Sequence, residues 1–199
     1  MPPTSTAARP LRLVIAEDET LIRLDLQTLL ERAGHQVVGA AKDGQEAVDL
    51  AAEHQPDLVV LDVRMPRLGG IEAARRIVAA RPVPVVMLSA YGQQEHVRAA
   101  AGAGSFGYVV KPFREEDLSA AITTARERFR ELASARAEAA ALAEALDERQ
   151  VMRRAQAVLM QVDGVDEHVA RARLEDAGRR TGRPVAAVAE AVVSLLGDG

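Results

Sequence analysis

Glu17, Asp18, Asp62, Ser89 and Lys111 are residue types that together can handle a phosphoryl group, and each stands directly after a short apolar run. Residues 13–16 lead into Glu17 and Asp18, 58–61 into Asp62, 85–88 into Ser89, and 108–110 into Lys111, which Pro112 follows. Phosphorylating a carboxylate requires Mg²⁺ held by a few oxygens that leave room for water and phosphate ligands. It also requires a carboxylate free to attack in line, and a cation and a donor for the equatorial phosphoryl oxygens. Glu17 and Asp18 supply the acidic end of such a metal site. Asp62 is the candidate nucleophile, because it ends the most apolar run and precedes a loop over residues 63–70. Lys111 is the candidate cation and Ser89 the hydroxyl donor. Taken singly, an Asp after a strand caps a helix, a Ser forms a turn and a Lys is a solvated charge. Their joint placement argues for one site.

For these residues to meet, the apolar runs must be parallel strands whose carboxyl edges gather the ligands, as in open α/β sheets. Strands are expected at Arg12–Ala16, 36–40, 58–61, 85–88 and 107–110. Helices alternate with them. The first carries Leu21, Leu24, Leu29 and Leu30 as its apolar stripe and stops at Gly34. The second covers about 45–54 and the third about 71–80, each ending before a proline. A fourth, at about 95–101, is Ala-rich and followed by Gly102 and Gly104, which predicts weak packing. Five βα units with near-continuous apolar strands indicate an α/β fold with a parallel five-stranded sheet covered on both faces.

From Glu115 the texture changes, with no Gly or Pro through Gln161. Leu118, Ile122, Ala125, Phe129, Leu132, Arg136, Ala139, Ala143 and Leu146 alternate steps of four and three. This heptad seam, interrupted by Arg136, predicts a long linker helix over 115–150 that pairs as a two-stranded coiled coil. Two further amphipathic segments follow, at about 166–180 and 184–196, separated by Gly182-Arg183-Pro184.

Composition bounds the function. The chain has 199 residues, a net charge of −4 and no Cys, so thiolate metal sites and disulfides are excluded. No apolar run reaches the roughly 20 residues of a membrane span, and residues 1–10 lack a signal-peptide pattern and are expected to be a disordered tail. A cytoplasmic location is expected. The acidic balance argues against indiscriminate nucleic-acid binding. Lys42 and Lys111 are the only lysines.

Ala16-Glu17-Asp18-Glu19, Leu61-Asp62-Val63-Arg64-Met65-Pro66 with Gly69-Gly70, Leu88-Ser89-Ala90 and Val110-Lys111-Pro112-Phe113 resemble the motifs of bacterial response regulator receiver domains. The resemblance spans residues 11–132 and implies a flavodoxin-like (βα)5 fold. It implies that Asp62 accepts phosphate from a sensor histidine kinase. Asp18, Asp62 and the backbone carbonyl of Arg64 would hold Mg²⁺, with Glu17 acting through water. Ser89 and Lys111 would contact the phosphoryl group. Ser89 and Tyr108 would be the switch pair, biasing the segment between Tyr91 and Gly107, and Lys111–Pro112 would be a cis bond. Such a domain assists its own phosphorylation and dephosphorylation and is otherwise not an enzyme.

Residues 142–196 resemble the ANTAR domain, a three-helix RNA-binding module of transcription antiterminators. The match rests on residues 142–146, Glu148-Arg149, Arg154-Ala155, Val158-Leu159-Met160, Gly164, Ala170, Leu174 and Val188-Ala189. Two positions depart from the usual pattern: Gln156-Ala157 stands where Lys-Gly is usual, and Arg171 where an aromatic is common. No aromatic follows Phe129, so bases would stack on Arg guanidinium planes. The candidates are Arg149, Arg153, Arg154, Arg171, Arg173, Arg179, Arg180 and Arg183. Between Arg149 and Arg183 these eight arginines face five acids. The expected function is a phosphorylation-controlled, RNA-binding antiterminator that recognises structured hairpins as a homodimer. The alternative is a phospho-switched regulator whose helical unit is a dimerisation or protein-interaction module. No basic helix-turn-helix is evident, so DNA is not expected as the target.

Overall fold

The computed structural model describes residues 9–90 and 105–196. They divide into two compact units, Met1–Ala133 and Ser134–Gly199. The first unit alternates β1 (Arg12–Ala16), α1 (Thr20–Arg32), β2 (Gln36–Ala41), α2 (Gly44–His54), β3 (Leu58–Asp62), α3 (Gly70–Ala80), β4 (Val85–Ala90) and β5 (Ser105–Lys111). The helix expected at about 95–101 lies outside the described residues, as do the tail through residue 8 and most of the proposed switch segment. A long helix, α4 (Glu115–Asp163), begins in the first unit, and α5 (Glu167–Thr181) and α6 (Val185–Leu196) complete the second.

The five strands form one parallel sheet in the order β2-β1-β3-β4-β5. This is a flavodoxin-like order, in which the chain reverses its direction of winding between β1 and β3. The two sheet faces carry separate cores. On one, Val14, Val59, Leu61 and Met87 pack against Ala47 and Ala51 of α2 and Ala73, Ala74 and Ile77 of α3. On the other, Leu13, Ile15, Val60, Val86 and Leu88 pack against Leu26 and Leu30 of α1 and Leu118, Ile122 and Ala125 of α4. Burying both faces explains why these strands are apolar throughout instead of alternating.

Three expectations change in detail. β1 matches its expected range, but β2 to β5 run one or two residues past their expected ends, because ladder pairing continues beyond the apolar runs: Asp62 pairs with Leu88, Ser89 with Val110 and Ala90 with Lys111. In α1 the buried stripe is Leu26 and Leu30, with Leu29 packed beside it, whereas Leu21 and Leu24 are exposed. Leu26 and Leu30 are one turn apart and meet the sheet together, which turns Leu21 and Leu24 outward. The heptad seam is split. Leu118, Ile122 and Ala125 are consumed by the sheet, while every residue from 130 to 150 is exposed. Only the seam beyond Phe129 is free to pair with another helix.

In the second unit, Ala155 and Leu159 of α4, Ala170 and Leu174 of α5 and Ala189 of α6 form a small core. Asp166 caps α5 by accepting from the Val169 amide at 2.8 Å. Gly182 ends it at φ 65°, and the Arg183 amide donates back to the Gly178 carbonyl at 3.2 Å. The predicted break is therefore a glycine-terminated helix end.

His35, in the turn between α1 and β2, has a buried Nδ1 with no hydrogen-bond partner among the described residues. Burial lowers its pKa, and the nearby Arg126 charge adds to the effect. Its folded pKa thus lies below its unfolded value of about 6.5. The associated stability is complete above that value and is lost as pH falls through it, since the unfolded chain takes up the proton first. Urea midpoints should fall between pH 7.5 and pH 5.5, and His35→Gln should reduce that fall.

Candidate functional site

The ends of β1, β3 and β5 bring the predicted acidic residues and Lys111 to the carboxyl edge of the sheet, beside the β1/β3 reversal. Glu17 is fully buried, Asp62 is 7% exposed and Asp18 faces solvent. One carboxylate oxygen from each lies within 4.8 Å of the others. The Lys111 Nζ stands 2.5 Å from Glu17 Oε2 and 3.0 Å from Asp62 Oδ2. Ser89 is buried near the end of β4, and the Lys111–Pro112 bond is cis.

The electrostatics follow from three acids around one cation. Burial raises the pKa of Glu17; Lys111 opposes the rise and the neighbouring Asp62 charge adds to it. Burial alone would lower the pKa of Lys111, but its contacts with Glu17 and Asp62 outweigh it and the pKa is raised. The cluster keeps an excess of negative charge after pairing with Lys111, and all its donors are hard oxygens. That donor set fits Mg²⁺, which prefers one or two carboxylates and retains waters. Asp18, exposed, leaves an open side for them.

The loops that shape the site use residues that carry little sequence signal. Arg23 of α1 reaches back to the Glu17 carbonyl at 2.6 Å and fixes the β1–α1 turn. Asp43, buried, accepts from the Gln45 and Glu46 amides and caps α2, and its other oxygen pairs with Arg67. Arg67 holds φ 63°, a conformation costing about 1–2 kcal/mol for a residue with a Cβ. The Asp43 pairing anchors it there. Gly70 lets α3 start directly against β3: a Cβ at this position would lie 1.9 Å from the Asp62 carbonyl oxygen. Gly44 is equally tight, 2.2 Å from the Leu68 carbonyl oxygen.

Two other predicted positions stand at the margins of the cluster. Tyr108 points out from β5 and is 55% exposed. Arg64 lies in the loop that follows β3, two residues beyond Asp62.

Residues 13–123 match the response regulator receiver domain family and residues 140–193 the ANTAR domain family. The chain belongs to the response regulators, as a phosphorylation-regulated receiver joined to an ANTAR output domain. It is similar to the transcriptional regulatory protein PdtaR of Mycobacterium tuberculosis, 44% identical over 191 residues that cover 96% of this chain and 93% of that protein. The chemotaxis protein CheY of Thermotoga maritima is 38% identical over 104 residues, 52% of this chain and 87% of its own. The crystal structure of a response regulator receiver domain protein from Clostridium thermocellum superposes with a TM-score of 0.56 and 31% identity, covering 61% of this chain and 98% of that one.

In the second unit the predicted arginines separate into three groups. Arg173 pairs with Asp163, while Arg179 and Arg180 contact Asp176 at 3.6 and 3.1 Å. Arg149, Arg153 and Arg171, the last also paired with Glu175 at 2.9 Å, line one groove of about 570 Å³ together with Leu146, Met152, Gln156, Glu167, Glu175 and Val185. Arg154 and Arg183 lie outside it. No helix among the described residues is long and apolar enough to cross a membrane.

Proposed function

We propose that Asp62 is the phosphoryl acceptor of this regulator and that its state controls RNA binding by the C-terminal unit in transcription antitermination. The observation that supports the input is the Glu17–Asp18–Asp62 cluster with Lys111 held among it. One Asp62 carboxylate oxygen attacks the phosphorus of a phosphohistidine on a sensor kinase. The oxygen–phosphorus bond forms as the nitrogen–phosphorus bond breaks, and the histidine nitrogen leaves. Asp18, Asp62 and the Arg64 carbonyl, with Glu17 through water, would hold Mg²⁺, which would supply charge neutralisation for the transfer. Lys111 shifts from carboxylate pairing toward the phosphoryl oxygens, and Ser89 donates its hydroxyl to them. Tyr108 carries the change onward. The receiver, 11–132, acts as a switch and turns over no other substrate.

The output reading places the unit over 142–196 on structured RNA hairpins, in the cytoplasm, as a homodimer paired through the exposed seam of residues 130–150. The RNA reading rests on the ANTAR match and on Arg149, Arg153 and Arg171 sharing one groove. A protein-interaction module is the second reading. It is favoured by the exposed Leu132, Leu142 and Leu146 and by the local pairing of Arg173, Arg179 and Arg180. Titrating labelled hairpins at about 50 and 200 mM salt separates the two. Phosphate contacts predict weaker binding at the higher salt, and Arg149→Ala with Arg153→Ala should weaken binding and flatten the salt dependence. Hairpin affinity below detection for the phosphorylated chain would favour the interaction module.

A further inference from the structure

Arg67 keeps a backbone conformation that its side chain disfavours, and its neighbours account for why. Its φ is 63°, and the Leu68 amide donates to the Pro66 carbonyl at 2.7 Å, so Arg67 is the middle of a three-residue turn. With positive φ at its centre, such a turn is the rare, strained form. An arginine has no special tolerance for this region, unlike Gly or Asn. Strain of this kind persists only where the surroundings over-determine it, and it gathers at functional sites.

The surroundings here are the turn between β2 and α2. Asp43 is 1% exposed, and its Oδ1 accepts from the Gln45 and Glu46 amides at 2.9 and 3.0 Å, which fixes the carboxylate. Its Oδ2 meets the Arg67 guanidinium. A charge so enclosed needs a counter-charge, and Arg67 is the one cation that pairs with it among the described residues. The Gly44 amide adds a second tie, donating to the Leu68 carbonyl at 3.1 Å. The Arg67 side chain itself is 62% exposed, so solvent screens its end of the pair and the pair is a weak source of stability. What it fixes is a position.

That position matters because of what the loop carries. Residues 63–70 leave Asp62 directly. The loop is tied at its ends, through the Val63 amide to the Leu88 carbonyl at 2.9 Å and the Gly70 amide to the Val63 carbonyl at 3.0 Å. Between those ties stand Arg64, whose carbonyl is assigned above to the metal, and Arg67, three residues further on. Met65 and Leu68 are only partly buried against the core. We infer that Arg67 is a positioning residue for the metal site: anchored on Asp43, its strained turn holds the stretch that presents the Arg64 carbonyl. The inference rests on the Asp62 reading above and deepens it.

Titration calorimetry with Mg²⁺ on the full unphosphorylated chain reads this without any turnover. Arg67→Gly accepts the positive φ but lacks the guanidinium. Asp43→Asn keeps an oxygen that can cap α2 but lacks the charge. Each should raise the Mg²⁺ dissociation constant by about tenfold, the lower end of what removing a group behind a metal ligand does. The double variant should show about the same tenfold, since the two partners of one pair do not act independently. At saturating Mg²⁺, adduct formation from acetyl phosphate by Arg67→Gly should recover most of its rate, a split that general damage to the fold would not give. Urea midpoints without Mg²⁺ should change little in Arg67→Gly, because relief of the strained φ offsets the lost pair. Arg76→Ala, which breaks an exposed ion pair within α3, should leave Mg²⁺ affinity unchanged. Unchanged Mg²⁺ affinity in Arg67→Gly, or effects that multiply in the double variant, would overturn the inference and leave the Asp62 reading standing. If the affinities shift as expected but wild type forms no adduct, the positioning role stands and the acceptor reading fails. A wild-type chain that binds no Mg²⁺ would overturn both.

Discussion

Asp62→Asn is expected to abolish the phosphoryl adduct that acetyl phosphate and Mg²⁺ form on the wild-type chain, as read by intact mass. The substitution keeps size and planarity in a site where Asp62 is almost wholly enclosed, so packing at the end of β3 is retained. It removes the anionic oxygen proposed to attack phosphorus and one of the two carboxylates that hold Lys111. Glu17 and Asp18 remain, but neither can replace it. Glu17 is fully buried against Lys111, and Asp18 lies at the open rim. The loss should be complete. A persisting adduct would move the acceptor to another residue. Chelating Mg²⁺ should suppress the wild-type adduct in the same assay.

Gly70→Ala should be the most damaging small substitution in the receiver. The added methyl would lie 1.9 Å from the Asp62 carbonyl oxygen, 2.9 Å from its carbon and 3.2 Å from Met87 Cε. The methionine can move, but the carbonyl belongs to a strand hydrogen-bonded on both sides. The start of α3 must therefore retreat and drag the loop from residue 63 with it. Overpacking of this kind costs about 1–3 kcal/mol and at times more, and here it also disturbs the loop that leaves Asp62. Gly69→Ala is the internal control. Its methyl would meet only the Val63 carbonyl oxygen at 3.6 Å, which is ordinary contact, so urea unfolding should show little change. Equal destabilisation by the two would mean that the α3 start is not braced on β3. Gly70→Ala should also slow phosphorylation, while Gly69→Ala should not.

Legibility from the sequence follows the physics of each element. Apolar strands buried on two faces leave continuous runs, and polar residues at their ends stand out against them. This is why Glu17, Asp18, Asp62, Ser89 and Lys111 are recognisable as one group from the chain alone. Helix faces are less legible. Leu21 and Leu24 have the right composition but the wrong angle, and only packing against the sheet selects Leu26 and Leu30. The heptad seam is ambiguous at its start for a related reason: a stripe built for a sheet and a stripe built for a partner helix share the same period. Arg23, Asp43 and Arg67 act through turns that bring distant residues together, and no spacing rule encodes them.

If Asp62 governs the output, its phosphorylation must change the affinity of the C-terminal unit for RNA. The quantity that reports this is the dissociation constant for one selected hairpin, taken with the chain unphosphorylated and phosphorylated, and repeated with Asp62→Asn under identical treatment. Coupling between two sites in one regulator is typically about 5- to 150-fold. Phosphorylated wild type should bind the hairpin at least about fivefold tighter than unphosphorylated wild type, and Asp62→Asn should not respond. Equal affinity in both states of wild type, or the same tightening in Asp62→Asn, would mean that Asp62 does not control RNA binding.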